Sequence, residues 1–260
     1  MSNSIAHLLS HIQALSDEPD YPLSCQLLLA SILGKSPSFV YAHPEYVVDG
    51  TFRGIFNDGI TRLVTGEPLA YVLGYKDFYH HRFLVTPAVL IPRPETEGLI
   101  ELVRQHMSTH FGELQNKAVI VDVGTGSGCI ALSLALLYPH AKVYAIDVSR
   151  DALKVARLNA QGLSVHNITF LHGSLLGPLD GLLEPHSVDV IVANLPYISD
   201  EEYDQLPKNI RDFEPALALR SGIDPDTLNN RLLKQAKVWM KSQGLLVYES
   251  TNGKICSIND

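Results

Sequence analysis

The fold is decided by residues 118–131, AVIVDVGTGSGCIA, in which an apolar run leads through a glycine-rich loop into a second apolar run. A strand, a glycine loop and a helix in this order are typical of the ligand-binding edge of an open α/β sheet. Glycines let the backbone turn tightly and approach a ligand, and the following helix offers unpaired N–H groups. The stretch therefore predicts a parallel sheet with a ligand site at its carboxyl edge.

Strands and helices alternate from this stretch to residue 249. Predicted strands lie at residues 118–124, 142–147, 167–173, 188–196 and 244–249, and predicted helices at 129–139, 151–162 and 230–241. Because the strands are apolar along their whole length, the sheet should be parallel and covered by helices on both faces. The predicted fold class is α/β.

The N-terminal part has a different pattern. Residues 5–65 repeat apolar side chains at helical spacing in three stretches, which predicts a small helical bundle. From Ala70 to Thr86 the chain is rich in aromatic and β-branched residues, which predicts a linking β-hairpin. We therefore predict three regions, with bounds 1–65, 66–98 and 99–260.

Composition narrows the classes of protein. The net charge of −8 argues against direct contact with nucleic acid. Cys25, Cys129 and Cys256 are too far apart for a zinc motif or a disulfide framework and indicate a reducing compartment. We see no secretion signal and no apolar run of membrane-spanning length, so we expect a cytoplasmic protein that does not contact membranes. The histidine pairs lack a third ligand, and no metal site is predicted.

The glycine loop has three interpretations. Asp147 ends the next predicted strand, 19 positions after Gly128, where an acid can accept hydrogen bonds from the hydroxyls of a ribose. Residues 126–131 also satisfy G-x-G-x-x-A, the dinucleotide fingerprint, and a turn that binds nothing is the third possibility. Asp122 favours a methyltransferase, because D-x-G-x-G-x-G resembles the first motif of Rossmann-like methyltransferases.

A second motif, Asn194-Leu195-Pro196-Tyr197, ends the strand VDVIVA. The side-chain carbonyl of Asn194 can accept a hydrogen bond from a substrate N–H, and Pro196 stiffens the turn so that the Leu195 carbonyl keeps one direction. Tyr197 offers a flat face for a planar group. The simpler interpretation is a turn at the end of a strand.

This second motif resembles the N-P-P-Y motif of methyltransferases that act on a nitrogen conjugated to a π-system. Such a nitrogen is a poor nucleophile, and two acceptors that hold its hydrogens favour a pyramidal nitrogen aimed at the methyl group of the cofactor. Leu195 replaces the usual proline, but the proposed role uses only its backbone carbonyl.

Residues 66–98, GEPLAYVLGYKDFYHHRFLVTPAVLIPRPETEG, look like the interdomain segment of the release-factor glutamine methyltransferases, the HemK or PrmC family. Residues 210–215, IRDFEP, resemble a further stretch of that family. The resemblance implies a Rossmann-like methyltransferase sheet, the cofactor S-adenosyl-L-methionine, and as substrate the glutamine of the Gly-Gly-Gln tripeptide in class 1 release factors, with the N-terminal helical domain recognising the substrate. We expect a monomeric translation-termination enzyme that methylates protein.

The resemblance also implies roles by position. It places the cofactor against Asp122, Gly124, Thr125, Gly126, Ser127, Gly128, Asp147, Ser174, Leu175 and Asn194, and the glutamine against Asn194, Leu195, Pro196 and Tyr197, which would also be the catalytic residues. Ser174 stands where the family has an acid against the adenine. Residues 93–96 would lie near the cofactor, or form a turn with a helix cap at Thr96.

After residue 249 the family continues with a helix and two strands. Residues 250–260 are too short to supply them, so we expect the C-terminal strand pair to be missing and an apolar sheet edge to be exposed.

Four other functions remain open at this stage. The first is methylation of a glutamine on a large-subunit ribosomal protein, and the second is methylation of adenine in DNA, which the acidic net charge argues against. The third is a degenerate binding protein without catalysis. The fourth is a dinucleotide oxidoreductase, which leaves the NLPY and PRPETE motifs unexplained.

Overall fold

A computed structural model describes residues 3–12, 15–16, 18–110 and 117–259. The chain forms two compact units, Met1–Gly74 with Lys208–Phe213, and Tyr75–Pro207 with Glu214–Asp260. The predicted boundaries after residues 65 and 98 remain predictions, and the N-terminal part of the first compact unit ends at Gly74.

The first unit is helical. Its N-terminal part contains helices α1 (Ile5–Ile12), α2 (Tyr21–Leu33), α3 (Pro37–Ala42), α4 (Gly50–Val64) and α5 (Leu69–Leu73). Two of the helices begin at side-chain caps: Ser36 accepts from the Phe39 N–H, and Asp49 accepts from the Thr51 N–H. Buried side chains such as Leu29 and Phe56 form its core. The predicted helical bundle is present, with two short helices more than the three predicted.

The second unit begins with the antiparallel hairpin of β1 (Tyr75–Phe78) and β2 (His81–Leu84). The predicted hairpin is confirmed, but its predicted start at Ala70 is wrong. Residues 69–73 form helix α5 instead, because Pro68 precedes its first turn and Gly74, in the left-handed region at φ 80°, ends it.

A six-stranded sheet forms the centre of the second unit. Its strands and the two short strands beside it are β3 (Val119–Val123), β4 (Lys142–Asp147), β5 (Ile168–His172), β6 (Val188–Ala193), β7 (Ile198–Ser199), β8 (Arg220–Gly222), β9 (Met240–Ser250) and β10 (Lys254–Asn259). The order in the sheet is β10-β9-β6-β3-β4-β5, and all neighbours are parallel except β9 and β10. Strands β7 and β8 pair separately.

Helices and short 3₁₀ turns complete the chain. The helices are α6 (Glu97–His110), α7 (Cys129–Leu137), α8 (Arg150–Gly162), α9 (Asp200–Asp204), α10 (Lys208–Arg211), α11 (Ala216–Leu219) and α12 (Thr227–Trp239), and the 3₁₀ turns are Pro94–Thr96, Gly177–Leu179 and Thr251–Gly253. Of these, α10 belongs to the first unit.

Both faces of the sheet are buried. On one face, Ile120 and Val190 pack with the apolar side of α6 and with α7. On the other face, Val121 and Ile191 pack with α12, including Trp239. Successive strand residues point to opposite faces, so the continuous apolar strands fill both cores. The predicted α/β fold with helices on both faces is confirmed.

Strand β10 pairs with β9 at the edge of the sheet from which the sequence predicts a strand pair to be missing. It pairs with β9 from Lys254 opposite Ser250 to Asn259 opposite Leu245. The 3₁₀ turn Thr251–Gly253 is short enough for the chain to return directly, so residues 254–259 supply one strand. The edge of β9 that was expected to be exposed is therefore covered.

Candidate active site

The carboxyl ends of β3, β4 and β6 border a cavity of about 330 Å³, within the usual range for a small-molecule site. The glycine loop, the end of β4 and the segment after β5 form one side of it, and the residues after β6 and the segment before α6 form the other. Among the site residues that the sequence predicts, the following line this cavity: Gly124, Thr125, Gly126, Ser127, Asp147, Ser174, Leu175, Asn194, Leu195 and Pro196. The structure therefore brings both sequence motifs to one cavity.

The glycine loop is held by backbone hydrogen bonds to β4. The N–H groups of Gly124 and Thr125 both donate to the carbonyl of Ile146, at 2.8 and 3.0 Å. Gly124 has φ 76°, and a Cβ there would lie 3.0 Å from Cδ2 of Leu195. Only glycine combines this backbone conformation with so close a neighbour.

Two predicted cofactor residues lie outside the cavity lining. Asp122 is completely buried, and its Oδ2 accepts from the Thr125 hydroxyl at 2.6 Å and from the Ala131 N–H at 3.2 Å. Burial raises the pKa of Asp122 to about 7. Gly128 directly precedes α7, and a Cβ there would lie 3.0 Å from Cδ1 of Leu132. Their positions favour support of the loop rather than direct contact with a ligand.

Asp147 lies at the cavity with both carboxylate oxygens already oriented. Its Oδ2 accepts from the Gly126 N–H and its Oδ1 from the Ser149 N–H, each at 2.8 Å. Each oxygen keeps a further lone pair that can accept from a ligand hydroxyl. Burial raises the pKa of Asp147 above its ordinary value, while these backbone hydrogen bonds act in the opposite direction.

The residues after β5 form the next wall. Ser174 and Leu175 both line the cavity, and Leu175 takes the left-handed region at φ 51°. The following N–H, that of Leu176, donates to Oε1 of Gln235 on α12, 2.9 Å away. This hydrogen bond connects the segment after β5 to α12 and holds Leu175 in position at the cavity wall.

At the end of β6, Asn194 is held by side chains from distant parts of the chain. Its Nδ2 donates to Oγ1 of Thr96 at 3.1 Å, and the Thr96 hydroxyl donates to Oε2 of Glu249 at 3.2 Å. The Tyr197 hydroxyl donates to Oε1 of the same carboxylate at 2.9 Å. Tyr197 itself is not part of the cavity lining. Burial, with a smaller contribution from Glu249, raises the pKa of Tyr197.

Sequence reasoning missed Glu249 and gave Thr96 a different role. Residues 94–96 form a 3₁₀ turn directly before α6, and the Thr96 hydroxyl oxygen accepts from Asn194 while its hydrogen points to Glu249. Glu249 is buried near the end of the apolar strand β9. A lone acid in such a strand, at the carboxyl edge of a sheet, is a signal that could have singled it out.

A partly buried ion pair joins two walls of the cavity. Glu214 is almost wholly buried, and its carboxylate accepts from the Arg93 guanidinium and from the Ile91 N–H. Arg93 lines the cavity together with Pro215, the residue after Glu214. The sequence placed residues 93–96 near the cofactor, and both Arg93 and Thr96 border the cavity.

Within the described residues, no group of three or more histidine, cysteine, aspartate or glutamate side chains is arranged to hold a metal ion. None of the helices in that part of the chain is both long and apolar enough to cross a membrane.

Comparisons with known proteins cover most of the chain. The PrmC N-terminal domain family matches residues 8–74, and a methyltransferase domain family matches residues 114–260. A release factor glutamine methyltransferase from Koribacter versatilis is 37% identical over 242 residues, which are 93% of this chain and 82% of the relative. The chain belongs to the release factor glutamine methyltransferase family.

Two further members of the family match at similar levels. The relative from Rhodopirellula baltica is 36% identical over 87% of this chain and 76% of its own length. The relative from Coxiella burnetii is 36% identical over 87% of this chain and 78% of its own length. The predicted family and the predicted S-adenosylmethionine-dependent methyltransferase are confirmed, and the dinucleotide interpretation of the glycine loop is wrong.

Proposed function

We propose that this protein transfers a methyl group from S-adenosylmethionine to the side-chain amide nitrogen of the glutamine in the Gly-Gly-Gln motif of class 1 release factors. The observation that carries this proposal is the placement of the Asn194 side chain at the same cavity as the glycine loop and Asp147. Three relatives over most of this chain share the name release factor glutamine methyltransferase, which supports the substrate. The site of action would be the cytoplasm, where release factors work.

The residues that line the cavity suit the three parts of S-adenosylmethionine. The loop from Gly124 to Ser127 would hold its methionine part, Asp147 its ribose, and Ser174 with Leu175 its adenine. Glycines without Cβ atoms leave the loop backbone accessible, and the Asp147 oxygens, held by two backbone N–H groups, keep lone pairs that can accept from the ribose hydroxyls. When bound, the cofactor supplies an electrophilic methyl group on a positively charged sulfur.

The protein's own contribution is to bind and orient the acceptor amide. The Asn194 Oδ1 and the Leu195 carbonyl would each accept one N–H of the glutamine side chain. Holding both hydrogens on one side directs the nitrogen lone pair to the other side, toward the cofactor. The rate enhancement would come from this positioning and from a fixed electrostatic environment, without a metal.

The first unit would recognise the release factor. Its N-terminal part coincides with the match to the PrmC N-terminal domain family, residues 8–74. It exposes large apolar side chains, among them Tyr41 and Val47, at 83% and 68% of their maximal exposure. Exposed groups of this kind are common where a protein binds a partner. A monomeric state and the absence of nucleic-acid contact remain predictions.

The experiment that tests the proposal measures transfer of labelled methyl from S-adenosylmethionine to a purified class 1 release factor. A release factor with Gly-Gly-Ala in place of Gly-Gly-Gln is the control. Label on the wild-type factor alone supports the proposal. Absence of label with intact cofactor binding contradicts it, and a large-subunit ribosomal protein would then be tested as the acceptor. Absence of cofactor binding would favour a degenerate binding protein.

A further inference from the structure

Asn194, Thr96, Glu249 and Tyr197 form a chain of hydrogen bonds in which the direction of each donor can be worked out. As a carboxylate, Glu249 has no hydrogen to give and can only accept. Thr96 Oγ1 lies 3.2 Å from Glu249 Oε2, so the single hydroxyl hydrogen of Thr96 points to Glu249. Tyr197, whose hydroxyl lies 2.9 Å from Glu249 Oε1, points its hydrogen to the same carboxylate.

The direction of the Thr96 hydroxyl decides the orientation of the Asn194 amide. With its hydrogen committed to Glu249, Thr96 Oγ1 has only lone pairs to offer its second partner. The Asn194 atom 3.1 Å away must therefore be the donor Nδ2 and not the acceptor Oδ1. The amide is thereby prevented from turning over, and Oδ1 stays available as an acceptor.

The elements of the sheet hold this chain of hydrogen bonds in place. Ala193 of β6 pairs with Tyr248 of β9. Asn194 and Glu249 are the next residues along these two parallel strands, so they lie side by side. Glu249 is buried, and its backbone carbonyl accepts from Asn229 of α12. Thr96 is buried at the end of the 3₁₀ turn before α6. Each position is fixed by a different element of the fold.

We propose that Glu249 and Thr96 are positioning residues that orient the Asn194 amide so that its oxygen faces the glutamine N–H. This inference rests on the proposed function. Without the carboxylate, Thr96 can donate to Asn194 Oδ1, the amide turns over, and its NH₂ group meets the glutamine NH₂ group. Two donors then face each other, and the acceptor that holds the substrate hydrogen is lost.

The test compares Thr96→Val, which has the same shape without the hydroxyl, with Thr96→Ser, which keeps the hydroxyl. We expect Thr96→Val to lower kcat by about 10- to 100-fold, with little change in KM for the release factor or in cofactor affinity, since the interaction matters most in the transition state. Thr96→Ser should restore most of the rate. Equal rates for Thr96→Val and the wild type would overturn the inference, and so would equal losses in both variants.

Glu249→Gln supplies a second and independent test. It keeps the size of the side chain and adds a donor, so kcat should fall as in Thr96→Val. Asp189→Asn is the matched control, because Asp189 is also a buried acid of the sheet but lies at the amino end of β6, where it accepts from Lys241 and the Val119 N–H. It should leave kcat within about twofold of the wild type. A loss of rate in the control as large as in Glu249→Gln would contradict a specific role.

A measurement without turnover completes the design. In the free wild-type protein, NMR of the Asn194 side-chain amide, assigned with Asn194→Ala, should show one Nδ2 hydrogen protected from solvent exchange. The protection should be lost in Thr96→Val and retained in Thr96→Ser. Protection that persists in Thr96→Val would overturn the assigned orientation, even if that variant is unstable in the assay. Absence of transfer by the wild type would overturn the proposed function and, with it, this inference.

Discussion

The glycine loop and Asn194 border the same cavity, but they are held in different ways. Asn194 and its hydrogen-bonded partners Thr96, Glu249 and Tyr197 are called the Asn194 corner below. Asp122 supports the loop through partners 3 and 9 positions away along the chain. Asn194 contacts Thr96 at a separation of 98 positions, and Thr96 contacts Glu249 at a separation of 153. The loop is organised mostly by local backbone and glycine geometry, whereas the corner depends on side chains brought together by the whole sheet.

Because the two regions are held differently, mutations in them should change different measured quantities. Changes in the loop should alter cofactor affinity and stability, because its contacts lie within its own segment and with the adjacent strand β4, on the cofactor side of the cavity. Changes in the corner should alter the rate of methyl transfer while cofactor binding persists, because Asn194 faces the acceptor amide and the other side chains hold Asn194 in place. The following predictions test this separation.

The largest effect is expected for Asn194→Ala. Removing the acceptor for the substrate N–H should lower kcat by about 100- to 1,000-fold, as loss of one oriented hydrogen-bonding group does in other active sites. Single-turnover methyl transfer and calorimetric titration of S-adenosylmethionine measure the two quantities separately. Asn230→Ala, an exposed asparagine of α12, is the control. Full methyl transfer by Asn194→Ala would show that its assigned role is wrong.

Asp147→Ala should weaken binding of S-adenosylmethionine by about 10- to 100-fold, because hydrogen bonds to a charged acceptor contribute about 1.5–3 kcal/mol. The rate at saturating cofactor should change much less. Asp151→Ala is the control, since Asp151 is exposed and pairs with exposed Lys154. Unchanged affinity in Asp147→Ala, measured by calorimetry, would refute a contact with the ribose.

Gly124→Ala should reduce the free energy of unfolding by about 1–3 kcal/mol. Alanine would have to adopt the left-handed backbone conformation of Gly124, and its Cβ would meet the Leu195 side chain. Gly162→Ala, at the end of α8 with open space around it, should not reduce stability. Urea unfolding measures both variants. Equal stabilities of Gly124→Ala and the wild type would mean that the loop is less constrained than its geometry indicates.

The smallest effect is the change in stability over one pH unit. Burial raises the pKa of Asp122 from an ordinary value of 3.8 to about 7 in the folded protein. The stability associated with its neutral form is therefore fully present below about pH 4 and is lost as the pH rises through about 7, with a loss of about 1 kcal/mol between pH 6 and pH 7. Asp122→Asn should remove this part of the pH dependence. Urea unfolding at several pH values gives the free energy of unfolding of the wild type and of Asp122→Asn as a function of pH. The same dependence on pH in both proteins would contradict the prediction.

The sequence predicted the alternating strands and helices well, because apolar strands and glycine turns are local patterns. It also singled out Gly124 and Asp147, since their spacing is typical of a nucleotide-binding edge. It placed the start of the hairpin too early. The aromatic run beginning at Ala70 suits a strand by composition, but the glycine at position 74 ends a short helix there.

The support of Asn194 could not be predicted in the same way. No pattern within the sequence indicates that Thr96 and Glu249 meet, because their contact arises only when β6, β9 and the turn before α6 are assembled. The same applies to Glu214 and its contact with Arg93. The position of Asp122 beneath the loop, outside the cavity lining, was also not evident, because its motif is the same whether it supports the loop or touches a ligand.

The two neighbours of β9 have consequences for the order of folding. Strand β10 follows β9 after a three-residue turn, whereas helices α9 to α12 lie between β6 and β9. Closing a short loop costs little entropy, and hairpins form within about 1–10 μs, so we expect the β9–β10 pair to form early. The pairing of β6 with β9 needs a much longer closure and should come later. Glu249 would then meet its partners only in a late folding step, after the segment from β3 to β4 has already shaped the cofactor loop.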